Sequence, residues 1–95
     1  MGAVYLVTVH NVTDPQQLQD YVAGVIPTLG VAEVLAVDEA ATTLEGDARS
    51  RVVILRFESK DAALAWYNSE EYQKAKPLRL AATTDNWLGL ASAFG

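Results

Sequence analysis

Hydrophobic positions alternate at the start of the chain. Val4, Leu6, Thr8 and His10 fall on one side of an extended segment, and Tyr5, Val7 and Val9 on the other. β-branched residues dominate it, so the pattern predicts a strand covered on most of both faces. The sequence "TDP" then supplies Asp14 as an N-cap and Pro15 at the first helical position, where the missing N–H costs nothing. Leu18, Tyr21, Val22, Val25, Ile26 and Leu29 follow with the 3.6-residue spacing of one apolar stripe, and Gln16, Gln17, Gln19 and Asp20 lie off it. Pro27 disfavours helical geometry at Ile26, and Gly30 is placed to close the end.

A second extended segment is expected from Val31 to Val37, continuing through Ala41 to Leu44 before the turn "EGDARS". "RVVILRF", Arg51 to Phe57, reads as its hairpin partner. Ser59 can cap a helix with Asp61 in its first turn, and "DAALAWY" is apolar on nearly every side. Ser69 restarts a short helix carrying Glu70 and Glu71, Pro77 opens a third short turn, and "NWLGLAS" is the final strand. The order β-α-β-β-α-β predicts an α+β fold, the ferredoxin-like βαββαβ arrangement, with an antiparallel sheet and helices on one face. The bare face needs a cover, and pairing of two sheets in a homodimer, a dimeric α+β barrel, is the simplest one.

Composition sharpens this picture. Ninety-five residues suit one domain, residues 1–95, with no repeat, linker or low-complexity segment. With 51% hydrophobic and 20% charged residues, the chain is too apolar to be disordered and has apolar surface to spare for a partner. A net charge of −5, with the seven Lys and Arg dispersed, argues against nucleic acid as partner. Cysteine is absent, which removes disulfides, thiol nucleophiles and sulfur-bound metals. No apolar run is long enough to span a membrane, and the first residues lack the pattern of a signal peptide, so a cytoplasmic soluble protein is expected.

Three stretches carry a family likeness: "VTDPQQLQDYV", "LEGD" followed by "SRVVILRF", and "ALAWYNSEEYQKAKPLRLAA". With them the chain resembles the family of domain of unknown function 1330, DUF1330, within the dimeric α+β barrel superfamily. The resemblance covers nearly the whole chain, and the run from Trp66 through Asn68-Ser69 to Glu71-Tyr72 is its most specific part. It implies a ferredoxin-like fold and dimerisation through the open sheet faces, without an established reaction. Members often carry basic residues near the second strand where this chain has Glu33 and Val37, and a tryptophan where it has Ala48. The acidic-glycine ending of the last strand is replaced by Ala91-Ser92.

The chemistry available is sparse. His10 is the sole histidine, with an ordinary pKa near 6.5 suited to a general base, and the bland alternative is a strand-end histidine that is solvated or hydrogen-bonded. A metal site built on it has no second His or Cys, so none is expected. Tyr5, Tyr21, Tyr67 and Tyr72 offer phenol donors but also suit a core. Trp66, set among alanines, reads as core. Glu45 is either an ion-pair partner of Arg49 or Arg51, or a pocket carboxylate. Arg79 lies among apolar neighbours, where a guanidinium must find a carboxylate, a carbonyl or a ligand anion. No phosphate-binding glycine pattern, G-x-S-x-G elbow or H-E-x-x-H motif occurs, so no nucleotide cofactor is expected.

These readings converge on a small-molecule-binding homodimer with one apolar pocket per subunit. By analogy of fold, the superfamily implies cofactor-independent isomerisation, cyclisation or oxygenation of a small carbonyl-bearing or polycyclic metabolite. His10 would be the base, Tyr67 or Tyr72 would hydrogen-bond the enolate, and Arg79 would orient or neutralise an anion, these three catalytic residues being His10, Tyr67 and Arg79. Tyr5, Glu45 and Tyr72 are the candidate substrate-binding residues. The rival readings are a non-catalytic binding or stress-associated dimer, and a haem protein with His10 as axial ligand.

Overall fold

The alternating segment forms β1 (Val4–Val12), and the Asp14-capped stripe forms α1 (Pro15–Val25), followed by a 3₁₀ turn (Ile26–Val31) and β2 (Glu33–Asp38). The second half contributes β3 (Arg51–Phe57), α2 (Lys60–Tyr67), α3 (Glu70–Ala82) and β4 (Thr83–Ser92). These elements are those of a computed structural model that describes residues 2–94. The sheet is antiparallel throughout, in the order β2-β3-β1-β4. This is the ferredoxin-like α+β topology that the element order predicts. The β-branched strands β1 and β3 take the two central places, where a strand is paired on both edges.

Register fixes which side chains meet. Val4 pairs with Phe57, Leu6 with Leu55, Thr8 with Val53 and His10 with Arg51, while Leu90 and Leu88 of β4 lie opposite Leu6 and Thr8. This face is roofed by the helices. Val4, Leu6, Leu55 and Phe57 are buried there with Leu18, Tyr21 and Val25 of α1 and Trp66 and Tyr72 above. Trp66 and Tyr72 pack with tilted rings whose centroids are 4.4 Å apart, and Trp66 lies 5.5 Å from Phe57. Burial of each such aromatic contributes about 1.5–3 kcal/mol. Tyr5, Val7 and Val9 face the other way, in register with Arg56, Ile54 and Val52 and with Ala91, Gly89 and Trp87. The second side of β1 is thus only half-buried in a single chain.

All three expected caps form. The side chains of Asp14, Ser59 and Ser69 accept hydrogen bonds from the backbone N–H groups of Gln17, Ala62 and Tyr72. The helix after Ser69 differs from expectation, since it runs unbroken through Pro77 to Ala82. A proline there removes the hydrogen bond to the Gln73 carbonyl alone, and Gln73 is exposed, so water can replace it. Ala41–Leu44 does not extend β2. Asp38 ends that strand by accepting from the Ala40 N–H, and the chain then crosses to β3 without regular structure, tied by Ala41 N–H to the Ser50 carbonyl at 2.8 Å. β4 begins at Thr83 rather than Asn86 because a bulge opposite Val9 and Asn11 carries the pairing past Asp85, whose φ is +56°. No helix among the described residues is long and apolar enough to cross a membrane.

Candidate functional site

α1 and the 3₁₀ turn do not close fully onto the sheet. Between them lies a cavity of about 260 Å³, walled by Val25, Leu29, Val53 and Leu55. Ile26, Val34 and Val37 form its rim together with Glu39; Ile26 is 61% exposed because α1 ends at Val25 and the chain tightens into the 3₁₀ turn. The polar end opens at Glu39: Thr8, Tyr21, Arg51 and Tyr72 also line the cavity, and Arg51 contacts that carboxylate.

The polar end is a buried network. Arg51 is 5% exposed, and its Nε donates to both carboxylate oxygens of Glu39 at 3.0 and 3.1 Å. Its Nη1 lies 3.2 Å from Nε2 of His10, which is fully buried. A guanidinium has only donors, so Nε2 is the acceptor and the imidazole proton sits on Nδ1. That Nδ1 has no hydrogen-bond partner among the described residues, and neither does the Thr8 hydroxyl. Burial, then the charges of Arg51 and Arg79, lower the His10 pKa from 6.5 to about 4 against a smaller opposing pull from Glu39, so the ring is neutral at pH 7. The hydroxyls of Tyr21 and Tyr72 meet at 3.2 Å. Burial and the neighbouring Tyr72 hold the Tyr21 phenol protonated well above its ordinary range.

Arg79 projects from the last turn of α3 and is 3% exposed. Its Nη1 donates to Oδ1 of Asn86 at 2.8 Å, and its Nε lacks a partner among the described residues. Among those residues the ion pairs are Arg51 with Glu39 and Arg56 with Glu33, so Arg79 has a neutral partner in place of a carboxylate. Arg79 does not itself line the cavity, but its charge acts on His10 and on the lining residue Tyr21, so two buried guanidinium groups stand near this end against the single carboxylate of Glu39.

Of the candidate catalytic and substrate-binding residues, only Tyr72 lines the cavity; His10 lies behind it, in contact with the lining residue Arg51, and Arg79 is buried outside the lining with Asn86 as its partner. Tyr67 lies in a separate cleft with Leu64, Leu88 and Leu90; its ring centroid is 5.3 Å from that of Tyr72 and 5.1 Å from Lys76 Nζ. Tyr5 belongs to the opposite sheet face, because it alternates with Val4 and Leu6. Glu45 is exposed in the loop between β2 and β3. The expected pairing of Glu45 with Arg49 or Arg51 gives way to others: Arg51 takes Glu39, and Arg49 donates to the carbonyls of Asp85, Asp47 and Ala48. Thr8, Glu39 and Arg51 line the cavity without having been expected there, and Tyr21, one of the four candidate phenol donors, joins them. One signal for Arg51 exists in the sequence: it is in phase with Val53, Leu55 and Phe57, the core-facing set of its strand.

Solved structures share this architecture at low identity. A protein of unknown function from Rhodopseudomonas palustris superposes with a TM-score of 0.81 at 17% identity, covering 99% of this chain and 84% of that one. A dimeric ferredoxin-like protein of unknown function from Thermobifida fusca gives 0.65 at 14%, covering 98% and 93%. SnoaB, a cofactor-independent oxygenase from Streptomyces nogalater, gives 0.71 at 17%, covering 100% and 96%. No curated protein matches the sequence. The family model for the domain of unknown function DUF1330 matches residues 3–91, so with its ferredoxin-like sheet and the motif spanning α2 and α3 the chain belongs to the DUF1330 family.

Proposed function

We propose that this protein is a homodimer that binds a small, mainly apolar molecule in the cavity under α1. The observation that carries the reading is the cavity itself: apolar walls converging on a few buried polar groups, one of them the unpartnered Thr8 hydroxyl, form the pattern expected of a ligand site. A closed core would leave neither the space nor the unused donor. The dimer is supported by the half-buried apolar sheet face and by the dimeric state of the Thermobifida neighbour.

In its catalytic form the reading is cofactor-independent chemistry on a carbonyl-bearing or polycyclic metabolite, as isomerase, cyclase or oxygenase. His10 is then the proton acceptor, Tyr67 or Tyr72 donates to the enolate oxygen, and Arg79 supplies the countercharge. Support comes from the neutral His10 ring and from the fold shared with a cofactor-independent oxygenase. The non-catalytic form is favoured by a specific contact, the hydrogen bond from Arg51 that occupies the Nε2 lone pair a base would need.

Mass spectrometry of small molecules released on denaturing the purified protein tests binding. An apolar compound is expected from the parent, and none from a Leu29→Trp variant in which the indole fills the cavity. Empty protein in both, with no thermal shift across a library of apolar metabolites, would end the reading. Once a substrate is in hand, His10→Gln should abolish turnover while retaining binding; full turnover would leave a binding protein.

A further inference from the structure

The cavity's polar end is one negative charge short. Arg51 and Arg79 are both buried, His10 is neutral, and Glu39 is the one carboxylate hydrogen-bonded to either guanidinium among the described residues. A buried cation with only a neutral amide for company is costly, and a ligand carboxylate would remove that cost. Arg51 uses Nε for Glu39 and Nη1 for His10, which leaves Nη2 without a partner among the described residues. Thr8, across the strand pair from Val53, lines the same end with its hydroxyl unused. A guanidinium edge and a hydroxyl are the donors a carboxylate accepts from best.

We propose that the ligand is an apolar monocarboxylate, its head group received by Arg51 Nη2 and the Thr8 hydroxyl and its tail lying along Val25, Leu29 and Val53. This rests on the cavity being a ligand site and adds the chemical class of what fills it. Arg79 acts at longer range, as the uncompensated charge that the head group balances. A diacid or a phosphate is disfavoured, because Glu39 already neutralises one of the two guanidinium groups and the walls beyond are apolar. Glu39, with a side chain 64% exposed, stands at the rim and sets the tightness of binding: its charge repels the incoming carboxylate and competes with it for Arg51.

Calorimetric titration of the full chain with octanoate, octanol and methyl octanoate tests the class. Octanoate is expected to bind roughly tenfold or more tightly than either neutral analogue, since it alone makes the charge-assisted contacts. Glu39→Gln keeps an amide oxygen to accept from Arg51 and, with circular dichroism confirming that it is folded, should strengthen octanoate binding severalfold while leaving octanol unchanged. Arg51→Gln should bring octanoate down to the level of octanol, with circular dichroism confirming that the variant is folded. Equal binding of octanoate and octanol by the parent, or an octanoate affinity unmoved by Glu39→Gln, overturns the carboxylate assignment and leaves an apolar-ligand site standing. Binding of neither compound overturns both.

Discussion

At the scale of single residues, His10 is the group whose burial has the clearest measurable consequence. A neutral imidazole beside two guanidinium groups resists protonation, so its folded pKa of about 4 lies below the 6.5 of the free side chain. Between those values the unfolded chain binds more protons than the folded one, and stability rises with pH. The stabilisation is fully present above about pH 6.5 and is lost as pH falls toward 4, at most about 1.4 kcal/mol per pH unit and on the order of 3 kcal/mol in all. Urea unfolding at intervals from pH 7 to pH 4.5 should show this decline, and His10→Gln, whose amide oxygen can still accept from Arg51, should flatten it. A profile identical in parent and variant would mean that His10 titrates freely. The same residue shows why side-chain chemistry was hard to place from sequence. Its position on the core face followed from alternation with Val4, Leu6 and Thr8, but the partner that fixes its tautomer, Arg51, is distant in the chain and was brought there by strand register.

At the scale of elements, α1 and α3 cross over the sheet and are joined at the cavity by the hydroxyl pair of Tyr21 and Tyr72, whose rings meet edge to face at 6.3 Å. Replacing either tyrosine by phenylalanine leaves the other hydroxyl buried without its partner, at a cost of about 1–3 kcal/mol. The double replacement removes both polar groups and should cost less than the sum of the singles, a coupling that a double-mutant cycle in urea measures. Additive costs would mean that the two helices are held by packing alone. Most of the element order was legible in the sequence because it depends on local signals: period-two alternation in β1 and β3, the stripe from Leu18 to Val25, and side-chain caps at Asp14, Ser59 and Ser69. What misled were residues whose local preference the surroundings override. Pro77 reads as a helix start, yet tertiary packing of Tyr72, Ala75, Arg79 and Ala82 keeps α3 continuous on both sides of it. Ala41–Leu44 carries strand-compatible residues, but Leu44 is 90% exposed and nothing buried waits for it. The cavity was legible only in outline, since its rim depends on how far the 3₁₀ turn stands off β2, a distance set by packing rather than by any one segment.

At the scale of the whole molecule, the unanswered demand is the sheet face away from the helices. Val7, Val9, Val52 and Ile54 lie there half-buried, and Trp87 is 56% exposed with its ring laid across Gly89, where a Cβ would come within 2.6 Å of the indole. That close fit sets a flat aromatic plate beside a β-branched patch, which favours contact across the face rather than edge pairing through β2. The β2 edge is further blunted by Glu33, Asp38 and Glu39. A stable dimer needs about 800 Å² from each partner, a modest share of the 5961 Å² that one chain exposes. Sedimentation should therefore give about twice the 10.3 kDa chain mass. Ile54→Glu places a charge at the centre of the face, where burial without a partner costs several kcal/mol, and should drive the protein to monomer. Because Ile54 alternates with the cavity-lining Val53 and Leu55 and points away from them, that monomer should still bind the cavity ligand. An Ile54→Glu protein that sediments at the dimer mass would show that the chains associate elsewhere, and the argument from the bare face would fall with it.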